Sequence, residues 1–149
     1  MAHTFTQITL HFVFSSKGRA CFLKKPLRDR LFPYMVRIVN EEFGQVREIG
    51  GTEDHVHLLT EISKDVSAAN LMRDLKSRSS GWVHREFDLP GFGWQEGYGA
   101  FSVSMSAIDR VREYIRGQEA HHRRMSFQEE FLRMLQRHGI EYDEKYIWK

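Results

Sequence analysis

The order of predicted elements indicates an α+β domain of the ferredoxin-like (split βαβ) plan, with extra C-terminal helices. Four segments carry the β-branched and aromatic residues typical of strands, and two segments with helical spacing of apolar residues separate the first strand from the second and the third from the fourth. The 149 residues suit one compact domain, 1–149, without a dividing linker. We therefore expect an antiparallel sheet with helices on one face and the other face open for function.

The first half of the chain contributes three strands and a helix. The predicted elements are a strand over 5–14, a helix from Pro26 to Gly44, and strands over 45–49 and 55–62. Proline suits the first turn of a helix, and glycine commonly follows the last turn. Because Gly50 and Gly51 separate the second and third strands, we expect a hairpin with its turn at these glycines.

The second half contributes the remaining elements. They are a helix that starts at Ser67, a loop over 88–97, a strand over 99–104, a helix over 106–119, and a C-terminal helix and tail over 126–149. Ser106 with Asp109, and Ser126 with Glu129, have the spacing of a capping box at a helix start. Gly139 predicts the end of the last helix. Two tyrosines and a tryptophan follow it, so we expect the tail to be packed.

Two histidines separated by one residue, His55 and His57, lie within the third predicted strand. Side chains two residues apart on a strand share a face, so both imidazoles project side by side while Val56 and Leu58 face the opposite side. Imidazole nitrogens are common ligands of divalent metals. The pair therefore predicts half of a metal site.

The helix over 106–119 offers a second pair, Tyr114 and Gln118, which lie four residues apart and so share a helical face. An amide oxygen is a hard ligand that suits Mg²⁺ or Mn²⁺. With His55 and His57 it would hold an ion and leave positions open for a phosphate oxygen. A tyrosine that attacks a phosphodiester conserves the bond energy as phosphotyrosine, which suits strand transfer better than hydrolysis.

These motifs, in this order, resemble the single-tyrosine HUH transposases of the insertion-sequence-200-like family. The resemblance extends from the first strand to Trp148 and includes His55-Val-His-Leu-Leu, Gly97-Tyr-Gly-Ala-Phe-Ser-Val-Ser104, Val111-x-x-Tyr-Ile-x-x-Gln118-x-x-His-His122 and Gly139-Ile-Glu-Tyr-Asp-Glu-Lys-Tyr-Ile-Trp148. It implies cutting and rejoining of single-stranded DNA through a 5′-phosphotyrosine, with Tyr114 as nucleophile and His55, His57 and Gln118 holding Mg²⁺ or Mn²⁺.

The resemblance also implies partners. We expect single-stranded DNA that contains a hairpin, and a homodimer, because many family members pair the histidines of one subunit with the tyrosine helix of the other. A mobile-element role and a domesticated role on palindromic repeats both remain open. The net charge of +2 is too small to predict DNA binding by itself. Basic clusters supply the candidate phosphate contacts: Arg73, Lys76, Arg78, Arg110, Arg112, Arg116, His121, Arg123 and Arg124.

Several other properties limit the function. The single cysteine, Cys21, cannot form an internal disulfide, and no signal peptide or bilayer-spanning apolar run is evident, so we expect a cytoplasmic protein. We do not expect His84 or the pair His121 and His122 to form a second metal site. Three alternatives remain open: a replication or conjugation nickase, a non-catalytic nucleic-acid-binding protein of the same fold, and a small metal-dependent enzyme unrelated to DNA.

Overall fold

The computed structural model describes residues 3–149, and these contain a four-stranded antiparallel sheet. Its strands are β1 (Ile8–Ser15), β2 (Gly44–Gly51), β3 (His55–Ile62) and β4 (Gly99–Ser102). Their order in the sheet is β2-β3-β1-β4, and each neighbouring pair is antiparallel. This is the strand order of the split β-α-β plan, so the predicted fold class is confirmed.

Two long helices cover the first face of the sheet, as predicted. They are α1 (Lys25–Glu42) and α2 (Ala68–Glu86), which follow β1 and β3 respectively. The predicted start of α2 at Ser67 is confirmed, because the Ser67 hydroxyl accepts a hydrogen bond of 3.1 Å from the Asn70 backbone N–H. The main core lies between these helices and the strands, and its fully buried members include Phe12, Phe14, Leu31, Met35, Leu58, Leu71 and Leu75.

The second face of the sheet is also covered, so the expectation of an open face is wrong. Three further helices follow β4: α3 (Ile108–Arg116), α4 (Gln118–His121) and α5 (Phe127–Arg137). Two apolar clusters pack them on the sheet, one of Leu59 with Ile108 and Ile115, the other of Val13 and Phe101 with Phe127, Phe131 and Leu135. The aromatic stripe of α5 needs an apolar partner, and the second face of β1 and β4 provides it.

Gly50 and Gly51 belong to β2, so the turn predicted at these residues is wrong. They pair with His57 and Val56 of β3, and the turn lies over 52–54. The physical reason for glycine here is close packing, because a Cβ on Gly50 would lie 2.7 Å from the Ile115 carbonyl oxygen. Gly50 thus lets α3 approach the sheet.

The two predicted capping boxes have different outcomes. Ser106 lies inside a 3₁₀ turn (Met105–Ala107), and α3 begins after Ala107 without a side-chain cap. The Ser126 hydroxyl does accept a hydrogen bond of 3.2 Å from the Glu129 backbone N–H at the start of α5. Gly139, with φ of +66°, follows α5 as predicted, because this left-handed conformation favours glycine.

Three predicted boundaries also differ from the structure. The strand predicted over 5–14 begins at Ile8, and the strand predicted over 99–104 ends at Ser102. The helix predicted over 106–119 is interrupted at Gly117, a residue type that disfavours helix, so Gln118 begins a separate turn of helix.

The tail after α5 is packed only in part, because most of its residues are exposed. Tyr142 and Trp148 contact the cluster between α5 and the sheet, whereas Tyr146 is exposed. The Gln95 side-chain amide donates to the Lys149 carbonyl at 3.1 Å. Within residues 3–149, none of the helices combines the length and apolar character needed to cross a membrane.

We expect Gly50→Ala to lower the free energy of unfolding by about 1–3 kcal/mol, because overpacking forces backbone shifts. The added Cβ would press on the Ile115 carbonyl and side chain, and α3 would have to move away from β2. Urea denaturation measures the change. Gly91→Ala is the matched control, because no atom lies within 4 Å of a Cβ built there. Equal unfolding free energies for the two variants would contradict the close-packing explanation.

Candidate active site

His55 and His57 lie side by side on the second face of β3, as the strand alternation predicts. Both side chains are completely buried, and their ring centroids are 5.2 Å apart. Val56 and Leu58 face the main core on the opposite side. The histidine pair therefore lies beneath α3, α4 and α5.

The Nδ1 atoms orient both imidazoles. His55 Nδ1 lies 2.8 Å from Asp54 Oδ1 and 3.0 Å from Thr52 Oγ1, and His57 Nδ1 lies 2.8 Å from His11 Nε2. Because a carboxylate only accepts, His55 Nδ1 carries a proton and donates it to Asp54. Partners of this kind orient metal-ligating histidines, and they direct both Nε2 atoms into the space beneath the helices.

Gln118 and Tyr114 meet the histidines within the same chain. Gln118 Oε1 lies 3.0 Å from His55 Nε2, and the Tyr114 and His57 ring centroids are 5.7 Å apart. The Gln118 Nε2 amide donates to Glu130 Oε2 at 3.2 Å, so the amide oxygen must face His55. The structure thus brings together the four residues that the sequence singled out, without a second subunit.

Glu130 of α5 lies at the centre of this group and was missed by the sequence analysis. Its Oε1 lies 2.9 Å from His57 Nε2 and 3.0 Å from His122 Nε2, and its Oε2 accepts from the Tyr114 hydroxyl. The side chain is only 2% exposed. A sequence signal was present, because Glu130 interrupts the apolar stripe of α5, and a buried carboxylate requires polar partners.

His122 also joins the group, as a further member of the site at His55 and His57 that the sequence did not indicate. His55, His57, His122 and Glu130 each offer one ligand atom, and these atoms all lie within 4.8 Å of one another. The neighbouring His121 is partly exposed, with Nε2 3.3 Å from Glu130 Oε2.

The donor set fits a divalent cation. With Nδ1 protonated, a neutral His55 presents a lone pair at Nε2, which faces the Gln118 oxygen at 3.0 Å and Glu130 Oε1 at 3.5 Å. Three facing lone pairs repel one another unless the imidazole is doubly protonated or a cation lies between them. A divalent ion about 2.1 Å from each ligand would separate neighbouring ligand atoms by about 3 Å, which matches this spacing.

Burial and mutual contacts set the charges in the site. Burial, with the nearby His57, lowers the pKa of His11 to about 3, and burial also lowers the pKa of His57. Burial by itself would raise the pKa of Glu130, but hydrogen bonds from His122 and His57 outweigh it and lower that pKa. Burial and the adjacent Glu130 charge raise the pKa of Tyr114. The resting site therefore holds a carboxylate beside a neutral phenol.

Three of the predicted DNA contacts lie on α2, on the opposite face of the sheet from the histidines. Arg73 pairs with Asp74 at 3.2 Å, and Arg78 pairs with Glu42. The Lys76 ammonium donates to backbone carbonyls in the loop before β4. The DNA-binding role of these residues stays a prediction, and they are not placed to contact DNA at Tyr114.

The remaining predicted contacts lie on the same side as the histidines. Arg112 and Arg116 flank Glu48 of β2, with nitrogen–oxygen distances of 3.7 Å and 3.1 Å. Arg123 and Arg124 are exposed and have no ion pair within residues 3–149. The DNA-binding role of these residues also stays a prediction.

Solved structures of similar fold are known. A candidate transposase from Deinococcus radiodurans R1 shares 18% identity over 79% of this chain and 95% of that chain, with a TM-score of 0.63. A REP-associated tyrosine transposase bound to a REP hairpin shares 12% identity over 82% of this chain and 73% of that chain, with a TM-score of 0.62. At these identities the likeness shows the fold alone.

Family assignment rests on the sequence match. Curated proteins include no match to this chain. Residues 4–118 match the model of the family described as "Transposase IS200 like", and this region includes His55, His57, Tyr114 and Gln118. Because the match covers most of the chain, the protein belongs to the IS200-like transposase family.

Proposed function

We propose that this protein cuts and rejoins single-stranded DNA, with Tyr114 as the nucleophile that forms a 5′-phosphotyrosine. The observation that carries this proposal is the convergence of the Tyr114 hydroxyl, the two Nε2 atoms of His55 and His57, and Gln118 around one buried carboxylate. Membership of a transposase family supports enzymatic DNA processing.

The reaction exchanges one phosphoester bond for another. The Tyr114 oxygen bonds to phosphorus, the bond from phosphorus to the 3′ oxygen breaks, and the freed 3′-hydroxyl takes up a proton. A protonated phenol is a weak nucleophile, so the proton must leave during attack. In the resting site the Tyr114 hydroxyl donates to Glu130 Oε2. Because this hydrogen bond breaks before the phosphate reaches the oxygen, the proton passes to water. Rejoining reverses these steps with a new 3′-hydroxyl.

We assign His55, His57 and Gln118 as ligands of Mg²⁺ or Mn²⁺, with Glu130 and His122 as further donors of the same site. Imidazole nitrogens favour a transition ion such as Mn²⁺ over Mg²⁺, which prefers oxygen ligands. When bound, such an ion polarises the phosphodiester and stabilises the negative charge that develops on it.

The resting arrangement has to open before DNA can react. His55, His57 and Glu130 are at most 2% exposed, and the Glu130 carboxylate lies against the Tyr114 hydroxyl. A phosphate therefore reaches the Tyr114 oxygen only after this hydrogen bond breaks. We infer that the Glu130 side chain, or α5 as a whole, shifts when DNA binds.

Hairpin-containing single-stranded DNA is the proposed substrate. The REP-associated tyrosine transposase of similar fold is bound to a REP hairpin, which supports this choice. A homodimer stays a prediction. The four predicted residues already meet within one chain, so completing the site does not require a second subunit. Action on DNA accords with the cytoplasmic location, which also stays a prediction.

Tyr114→Phe should reduce covalent adduct formation with a hairpin-containing single-stranded oligonucleotide to below about 1% of the wild-type yield, because the attacking oxygen is absent. Denaturing gel electrophoresis of end-labelled DNA with Mn²⁺ measures the adduct, and the labelled end that remains on the protein identifies a 5′-phosphotyrosine. Tyr146→Phe, at an exposed tyrosine, should retain the full yield.

If the adduct still forms in Tyr114→Phe, the assignment of Tyr114 as the nucleophile is wrong. DNA binding by the wild-type chain without any adduct would support the non-catalytic alternative instead. Circular dichroism should show that Tyr114→Phe is folded, so that loss of the adduct reflects the missing hydroxyl.

Mn²⁺ should stabilise the wild-type protein against unfolding by about 2.7 kcal/mol at a concentration one hundred times its Kd, because it binds the folded state. His55→Ala should lose most of this stabilisation, and His3→Ala, at an exposed histidine outside the cluster, should keep it. Thermal denaturation with and without Mn²⁺, and with EDTA, measures the effect. Full stabilisation of His55→Ala by Mn²⁺ would show that the ion binds elsewhere.

A further inference from the structure

We propose that the cleft between α3 and α5 binds the single-stranded DNA segment next to the reacting phosphate, and that Arg110 and Arg137 bind its phosphates. The cleft has a volume of about 590 Å³ and lies between β4, α3 and α5. This proposal rests on the proposed function, because it names the surface that presents DNA to Tyr114.

The cleft leads to the reactive group. Tyr114 and His11 both line it, and their ring centroids lie 6.5 Å apart. His11 Nε2 is in turn 2.8 Å from His57 Nδ1. DNA in this cleft would therefore place a backbone phosphate beside the tyrosine and one side chain away from the histidine pair.

The charge of the cleft favours a polyanion. Arg110 of α3 and Arg137 of α5 line it together with His138, and its lining contains no acidic residue. Both arginines are exposed, and neither forms an ion pair within the described residues 3–149. Their neighbours on α3 differ, because Arg112 and Arg116 are engaged by Glu48. Arg110 and Arg137 are thus free to bind phosphate groups.

The remaining lining suits unpaired bases. The exposed ring of His138 lies over the buried Phe101, with ring centroids 4.4 Å apart, and Val103, Val111 and Met134 add apolar surface. Surfaces that bind single strands combine cationic groups for the backbone with aromatic and apolar groups for the bases. Pockets of roughly 300–1,000 Å³ hold drug-sized ligands, and a single nucleotide is of that size.

A second cleft borders the site on the side of His122, but it fits DNA less well. Lys25, Arg28 and Arg123 line it, yet so do Glu53 and Glu119. Arg28 is already paired with Glu119 across this cleft. Because its charge is mixed, this cleft favours a polyanion less than the cleft between α3 and α5 does. We therefore place the single-stranded DNA between α3 and α5.

Binding of a fluorescent single-stranded oligonucleotide to the full chain tests the proposal, with Tyr114→Phe in every variant so that DNA stays uncut. Arg110→Ala and Arg137→Ala should each weaken binding several-fold and reduce the slope of log affinity against log salt by about 0.7, the value for one phosphate contact on a single strand. Arg133→Ala is the matched control, because Arg133 is an exposed arginine of α5 outside the cleft. It should change neither quantity.

Unchanged affinity and salt slope in both variants would overturn the proposal, as would an equal loss for a blunt duplex of the same length. Adduct formation by the wild-type chain, which retains Tyr114, tests the proposed function separately. If the Tyr114-dependent adduct forms but DNA affinity is the same without Arg110 or Arg137, the proposed cleft is refuted and the proposed function stands. If DNA affinity depends on both arginines but no adduct forms, the strand-transfer activity is refuted and the cleft stands. Matching thermal unfolding midpoints for all variants show that each is folded.

Discussion

The buried carboxylate of Glu130 is the interaction on which the arrangement of the second sheet face depends. It joins α5 to β3 through His57, to α3 through the Tyr114 hydroxyl, and to α4 through Gln118, with His122 as a further partner. A buried charge is tolerated only when it is paired and hydrogen-bonded, and loss of one partner of such a set costs about 3–5 kcal/mol. The same contact that orders these helices also covers the Tyr114 oxygen, so stability and access to DNA oppose each other here.

The two faces of the sheet have different roles. Between the sheet and α1 and α2 lies a continuous apolar core, which holds β3 in place and so gives His55 and His57 a rigid base. On the other face, apolar clusters flank the polar site, and they bring in helices beyond the split β-α-β plan. The family match ends at Gln118, so His122 and Glu130 lie in the part of the chain beyond it. The C-terminal helices thus add donor groups to a site whose other members lie within the matched region.

Sequence patterns predicted the structure correctly where the outcome depended on a single strand or helix. Alternation along β3 correctly assigned His55 and His57 to one face, and the Ser126 hydroxyl caps α5 as its spacing indicates. The same capping pattern failed at Ser106, where the chain leaves the sheet through a 3₁₀ turn before α3 begins. The turn predicted at Gly50 was wrong because a tertiary contact decides this position. Its small size allows the approach of Ile115, which lies far away in sequence.

Strand and helix periodicity are local properties of the backbone. The residue pattern was therefore enough to predict the fold class, the side of the strand that carries the histidines, and the shared face of Tyr114 and Gln118. Helix packing on the sheet was needed to show that the second face is covered, that Glu130 and His122 join the histidines, and which arginines have no ion pair within residues 3–149. These features depend on distances between residues that are remote along the chain, and a pattern within one element carries no information about such distances. Partner choice among charged side chains is therefore settled only when the helices pack on the sheet.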